Sequence, residues 1–287
     1  MAARPRTLPA AVAPVLVGTA LAMIDHDLRV GGFVAALLGA ILIQVGTNLS
    51  NDYSDARRGA DTEDRLGPVR VTAGGLMPPR QVLVGTYVAF GIAVAAGAYL
   101  IAIAGWQLLV VGAASILAGV LYTGGPRPYG YEGLGEVFVF LFFGIVAVSG
   151  SYYVQAEAVE WEAFVLAVPV GLLACAILAV NNIRDLETDR RAGKRTVAVR
   201  LGRARARDIY AAEVNAAFVV AQVPWIAGAD SVSPWLLLVL LAIPFAAPTV
   251  RIVRSRTDGP SLNGALARTG MLQLGFCVLL AAGILAS

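Results

Sequence analysis

The sequence predicts an all-α integral membrane protein with about nine transmembrane helices. Three observations predict it. Of its 287 residues, 58% are hydrophobic and the mean hydropathy is +0.73, whereas soluble domains carry an apolar share of roughly 45–50%. Apolar runs close to the roughly 20 residues needed to span a bilayer recur along the chain. None alternates with the period of a barrel strand, and backbone in lipid must satisfy its own hydrogen bonds, so helices are the spans that remain.

The first run, at about 8–24, follows Arg4 and Arg6 and is entered through Pro5 and Pro9. Ala20-Leu21-Ala22 has the small-residue pattern of a signal-peptidase site, but with so many spans behind it the segment reads as a first transmembrane helix. Further runs lie at about 31–50, 82–103, 106–122, 135–153, 163–182, 209–228, 234–252 and 263–285. Turns at Gly105 and at Ser231 to Pro234 divide the two closest pairs. The whole chain, 1–287, reads as one transmembrane domain. Cys175 and Cys277 lie in apolar runs without a Cys-x-x-Cys spacing and read as small core residues. His26, between Asp25 and Asp27, reads as a solvated loop residue. Gly85, Gly91, Gly97 and Gly105 suit close helix packing, which leaves the oligomeric state open.

Orientation follows from the charges. With the N-terminus in the cytoplasm, all but Arg29 of the 22 Lys and Arg residues fall on the cytoplasmic side. The opposite loops carry Asp25, Asp27, Glu157, Glu160, Glu162 and Asp230. That asymmetry obeys the positive-inside rule and places the protein in the cell membrane as a multi-pass chain. A net charge of +3 is too small to imply a nucleic-acid partner.

Two stretches break the apolar pattern. In the first, QVGTNLSNDYSDARRGADTEDRLGPVR at 44–70, Gln44, Asn48, Asn51, Asp52 and Asp55 recur at helical spacings of three and four and so share one face. In the second, NNIRDLETDRRAGKRTVAVRLG at 181–202, Asn181, Asp185 and Asp189 are spaced by four. Asn48 precedes Asp52 by four, as Asn181 precedes Asp185. Carboxylates at membrane ends are costly and are read as functional, with partners nearby. Both stripes open on the cytoplasmic side, so they read as two halves of one site facing a cavity. Their separation by four helices suggests a duplicated four-helix unit plus a ninth helix.

Two clusters of carboxylates and carboxamides offer oxygen ligands to a hard cation such as Mg2+, which completes its shell with water and phosphate oxygens. Arg65 and Arg70 lie nearby in the first loop, Arg127 in the second, and Lys194 and Arg195 in the third. Arg binds phosphate oxygens bidentately and Lys as a point charge. Together these read as a diphosphate site. Because phosphate chemistry alone needs no membrane, the diphosphate is expected on a lipid. Arg200, Arg203, Arg205 and Arg207 read instead as topology and headgroup contacts.

At this point the chain resembles the UbiA superfamily of membrane prenyltransferases, and within it the 1,4-dihydroxy-2-naphthoate polyprenyltransferases. The resemblance rests on RPRTLPAAVAPVLVGTA at 4–20, NLSNDYSDARRGADTEDRLGPVRVTAGGL at 48–76, YTGGPRPYGYEGLGEVFVFLFFG at 122–144 and NNIRDLETDRRAGKRTVAVRLG at 181–202. VTAGGLMPP matches the family loop only loosely. The resemblance implies nine helices around a central cavity with a lateral opening for the isoprenoid tail and a Mg2+ site at the cytoplasmic mouth. Its substrates would be a polyprenyl diphosphate and 1,4-dihydroxy-2-naphthoate, in contact with membrane lipid. It implies Mg2+ ligands Asn48, Asp52 and Asp55 for one ion and Asn181, Asp185 and Asp189 for the other. Arg65, Arg127, Lys194 and Arg195 would neutralise the diphosphate. Asp61 would lie near the aromatic substrate, and Tyr122 would be either a site tyrosine or an interfacial belt residue. Rival readings are another aromatic acceptor, such as 4-hydroxybenzoate, homogentisate or a chlorophyll precursor, and an ion or lipid-phosphate transporter. A transporter would place its ionisable groups nearer the bilayer midplane.

Overall fold

A computed structural model of the protein describes residues 3–60 and 66–287. Every regular element among them is helical. Nine long helices run in order: α1 (Pro9–Ala22), α2 (Val30–Arg57), α3 (Pro79–Ala104), α4 (Gln107–Leu121), α5 (Gly135–Ala156), α6 (Trp161–Arg184), α7 (Val197–Val220), α8 (Pro234–Ser255) and α9 (Gly259–Leu285). Seven of these, α1 taken with the preceding turn from Pro5, are long and apolar enough to cross a membrane; α4 is shorter, and α7 begins with a run of arginines.

The termini follow local chemistry. Prolines open α1, α3 and α8, where their fixed φ and missing N–H cost nothing. The Asp258 carboxylate accepts the Ser261 N–H at 2.9 Å and caps α9.

Two helices depart from the hydropathy pattern. α2 continues to Arg57, beyond the end of its apolar run near residue 50, because the polar stripe is itself helical. α7 starts at Val197 and ends at Val220, where hydropathy pointed to 209–228. Thr196 caps it through the Val199 N–H, and Gly202 at φ 83° breaks it within its first turns. Hydropathy registers residues suited to lipid, so the arginine-rich start was invisible to it, whereas the apolar residues beyond Val220 form a separate turn, Val223–Ile226.

The molecule has two unlike halves. α6 is the most buried span and packs against α1, α5, α7 and α9 in a closed core that includes Leu166, Leu173, Tyr210 and Phe276. A π-helical stretch at Phe140–Val146 lies within α5. There Gly144 faces Gly171 of α6 so closely that a Cβ on Gly144 would sit 2.7 Å from the Gly171 Cα. Only small residues allow such an approach. On the other side, α2, α3 and α4 with α1 and α5 enclose a cavity of about 570 Å³.

Candidate active site

The cavity has a polar end and an apolar end. Its apolar walls come from small and aliphatic residues of α1 to α4 and from Phe138, Phe142 and Phe143 of α5. Its polar end gathers Asn48, Asn51 and Asp55 from α2, Asn181 and Asp185 at the end of α6, and Asp189 on the short helix Leu186–Arg191. Arg70, Tyr122, Tyr131 and Lys194 join them. The two acidic stretches, more than a hundred residues apart, therefore meet at one mouth.

Asp55 is the centre of the first group. It is 1% exposed, and its carboxylate accepts from the Tyr131 hydroxyl at 2.7 Å and from Lys194 Nζ at 3.2 Å. Arg70 lies 3.5 Å away. A carboxylate this buried needs such partners, because unpaired burial of charge is strongly disfavoured. Lys194 Nζ also sits 4.7 Å from the Tyr131 ring centroid, a cation–π contact. The Asn51 side-chain oxygen accepts from the Thr123 hydroxyl at 2.9 Å.

Asp185 is the centre of the second group. The buried Arg184 guanidinium holds it bidentately, at 2.8 and 2.6 Å. The same guanidinium donates to the Asn181 oxygen and to the Asn263 oxygen, each at 2.8 Å. Asn263 in turn donates to the Leu66 carbonyl at 2.9 Å.

Several residues expected in the site are used otherwise. The Asp52 carboxylate is buried on backbone amides, accepting from Val71 N at 3.0 Å and Thr72 N at 2.8 Å, and does not line the cavity. Asn48 lines it but donates to the Ala3 carbonyl at 3.1 Å, while Gln44 reaches Thr7 at 3.4 Å, so both hold the N-terminal segment. The Arg127 and Arg195 side chains are exposed and outside the cavity lining; the Arg195 N–H donates to the Tyr131 carbonyl at 2.7 Å. Asp61 and Arg65 lie outside the described residues. Tyr122 does line the cavity, edge-on to Tyr129 at 5.4 Å.

Sequence reasoning put Asn51 in the polar stripe but not among the metal ligands, and it missed Arg184, Thr123 and Tyr131 as site residues. For Asn51 a signal was present: Asn51 precedes Asp55 by four, just as Asn181 precedes Asp185. The matching register is therefore Asn51-Asp52-Asp55 with Asn181-Asn182-Asp185. Asp55, Asp185 and Asp189 with Asn51 and Asn181 form an oxygen-only donor set of the kind Mg2+ takes. Among the described residues no three Asp, Glu, His or Cys side chains cluster closely enough to hold a metal by themselves. Carboxamides, water and a phosphate-bearing ligand would have to complete a shell, which is the usual habit of Mg2+.

A profile of the UbiA prenyltransferase family matches residues 11–285. A protein of Mycobacterium tuberculosis named 1,4-dihydroxy-2-naphthoate octaprenyltransferase is 43% identical, over 95% of this chain and 91% of its own length. A Mycobacterium leprae protein of the same name is 42% identical, over 98% of this chain and 94% of its own length. The solved structure of a UbiA homologue from Archaeoglobus fulgidus bound to DMAPP and Mg2+ superposes with a TM-score of 0.70 at 15% identity, covering 99% of this chain and 97% of that one. At that identity the likeness speaks to the fold alone.

Proposed function

Since the chain belongs to the UbiA prenyltransferase family, we propose that it transfers a polyprenyl group from polyprenyl diphosphate to 1,4-dihydroxy-2-naphthoate, releasing CO2 and diphosphate and giving demethylmenaquinol for menaquinone biosynthesis. The near full-length similarity to the two mycobacterial octaprenyltransferases supports the acceptor. The observation that carries the chemistry is a single cavity whose polar end holds oxygen donors and cations and whose remaining wall is apolar.

Asp55 and Asn51 would hold one Mg2+, and Asp185, Asp189 and Asn181 the other. Bound there, the ions would supply positive charge to the leaving diphosphate. Lys194 and Arg70, already aimed at this point by Asp55, stabilise the negative charge that develops as the allylic carbon–oxygen bond breaks, its electron pair leaving on the diphosphate. The apolar walls of α2 to α5 contain the start of the isoprenoid and keep water from the allylic cation. The Phe138 and Phe142 rings line the same space and suit a cationic prenyl fragment. The electron-rich ring of the naphthoate forms the new carbon–carbon bond and loses the proton from that carbon, and its carboxylate departs as CO2 with a proton taking its place on the ring. The distribution of arginines supports a mouth open to the cytoplasm, where the naphthoate is soluble.

The test is turnover of purified protein in nanodiscs with 1,4-dihydroxy-2-naphthoate, a polyprenyl diphosphate and Mg2+, followed by mass spectrometry. Prenylated quinol and CO2 that vanish with EDTA are expected. Product only from 4-hydroxybenzoate or homogentisate would overturn the acceptor while keeping the site.

A further inference from the structure

Asp52 is the one aspartate of the first stripe that turns away from the cavity. It lies at the edge of the stripe, about 60° round the helix from Asp55 at 100° per residue. Both its oxygens are taken by consecutive backbone amides, Val71 and Thr72, and it is 2% exposed. Those amides belong to a tight turn. Gly74 N donates to the Arg70 carbonyl at 2.9 Å, Gly75 N to Thr72 at 3.1 Å, and Leu76 N to Val71 at 3.0 Å. A Cβ on Gly74 would lie 2.7 Å from the Arg70 carbonyl oxygen, so the turn closes only around glycine. Arg70, immediately before the latched amides, is the residue that reaches into the cavity and toward Asp55. A charged acceptor bound to two amides is among the stronger hydrogen-bonded arrangements available to a loop.

The second half of the molecule repeats the device. Asn182 occupies the register position equivalent to Asp52, one residue after Asn181, though unlike Asp52 it also lines the cavity. Its side-chain nitrogen donates to Glu136 at 2.9 Å, tying the start of α5 to the end of α6. In both halves the residue after the asparagine fastens a neighbouring segment.

We propose that Asp52 is a positioning residue, a latch that folds the 70–77 turn over the mouth and so holds Arg70 where a diphosphate binds. What Arg70 meets rests on the reading given under Proposed function; the latch itself does not. Asp55 and Asp52, separated by less than one turn, thus divide the work: Asp55 faces the ligand, and Asp52 places a cation beside it.

Hydrogen exchange of the 66–77 segment tests the latch without any substrate. D52N keeps the shape but presents an NH2 group to one of the two amides, so the Val71 and Thr72 amides exchange faster, while in D55N they stay protected. Titration with inorganic diphosphate and Mg2+ then tests the consequence. D52N weakens diphosphate binding about tenfold, R70A does the same, and the double variant is no weaker than either, because both act through one contact. Mg2+ binding is unchanged in D52N and reduced in D55N. Unaltered exchange in D52N, additive losses with R70A, or a loss of Mg2+ binding in D52N equal to that in D55N would each overturn the proposal. Wild-type protein that binds no diphosphate at all would remove the functional reading, while the exchange data would still decide the latch.

Discussion

The two acidic ends of the site are built in opposite ways. Around Asp55 and Asn51 the partners among the described residues come from other segments: besides Arg70, Thr123, Tyr131 and Lys194 lie 72, 76 and 139 residues away from the groups they contact. Around Asp185 and Asn181 one guanidinium, Arg184, serves both from one and three residues away on the same helix end. That contact at the second end is in place once α6 forms, and Asn263 ties it to α9. The first exists only after α2, the 70–77 turn, the 122–131 loop and the 194–196 segment have come together. Chemically the ends are alike, each a carboxylate and a carboxamide. Energetically one leans on a guanidinium of its own helix end and the other on convergence, so substitutions at the two ends should fail differently.

The largest contrast is expected between Arg184 and Lys194. R184M removes the guanidinium that holds, bidentately, a carboxylate 3% exposed and also strips partners from Asn181 and Asn263. Removing one member of a buried pair costs about 3–5 kcal/mol, so the unfolding midpoint of R184M in detergent should fall well below that of the parent. K194M leaves Asp55 with Tyr131 and Arg70, and its midpoint should move little while turnover collapses. Equal loss of stability in the two variants would break the distinction between a local and a convergent end.

A smaller effect is expected at Tyr131. Y131F deletes the hydroxyl that meets Asp55 but keeps the ring beneath Lys194. A hydrogen bond to a charged group contributes about 1.5–3 kcal/mol, shared here with two cations, so a rise of about tenfold in KM for the polyprenyl diphosphate with kcat largely kept is the expected result. Y131L, which removes the ring as well, should lower kcat too. A Y131F variant indistinguishable from Y131L would show that the hydroxyl alone matters.

This difference also explains what could be read from the sequence. The long helices, seven of them able to span a membrane, their order and the meeting of two acidic stretches follow from apolar runs and spacings of four, which are local properties of the chain. The Asp185 end was legible for the same reason, since its spacing is unambiguous. At the other end two pairs satisfy the same rule, Asn48 with Asp52 and Asn51 with Asp55, and spacing does not choose between them. The choice is made by what lies opposite: Ala3 takes Asn48, the Val71 and Thr72 amides take Asp52, and Tyr131, Lys194 and Arg70 are left to Asp55. Arg184 was hidden differently, because among so many cytoplasmic arginines one buried guanidinium has no distinguishing mark in the sequence. The early start of α7 was hidden because arginine lowers hydropathy without opposing a helix.

The mildest expected effect concerns how each asparagine is oriented. Asn181 has its oxygen fixed by Arg184, a charged donor on its own helix, whereas the Asn51 oxygen is fixed by the Thr123 hydroxyl, a neutral donor at the end of α4. T123V is close in shape and removes only that donor. Because a neutral hydrogen bond contributes about 1 kcal/mol, the protein should stay folded. The Mg2+ concentration for half-maximal activity should rise only about fivefold, through a carboxamide free to rotate away from the cavity. Restoring a hydroxyl with T123S should recover the parent value, since serine supplies the donor without the methyl group. A T123V variant with unchanged Mg2+ dependence would mean that Asn51 is oriented by packing alone, and the first end would then be less dependent on distant partners than its hydrogen bonds imply.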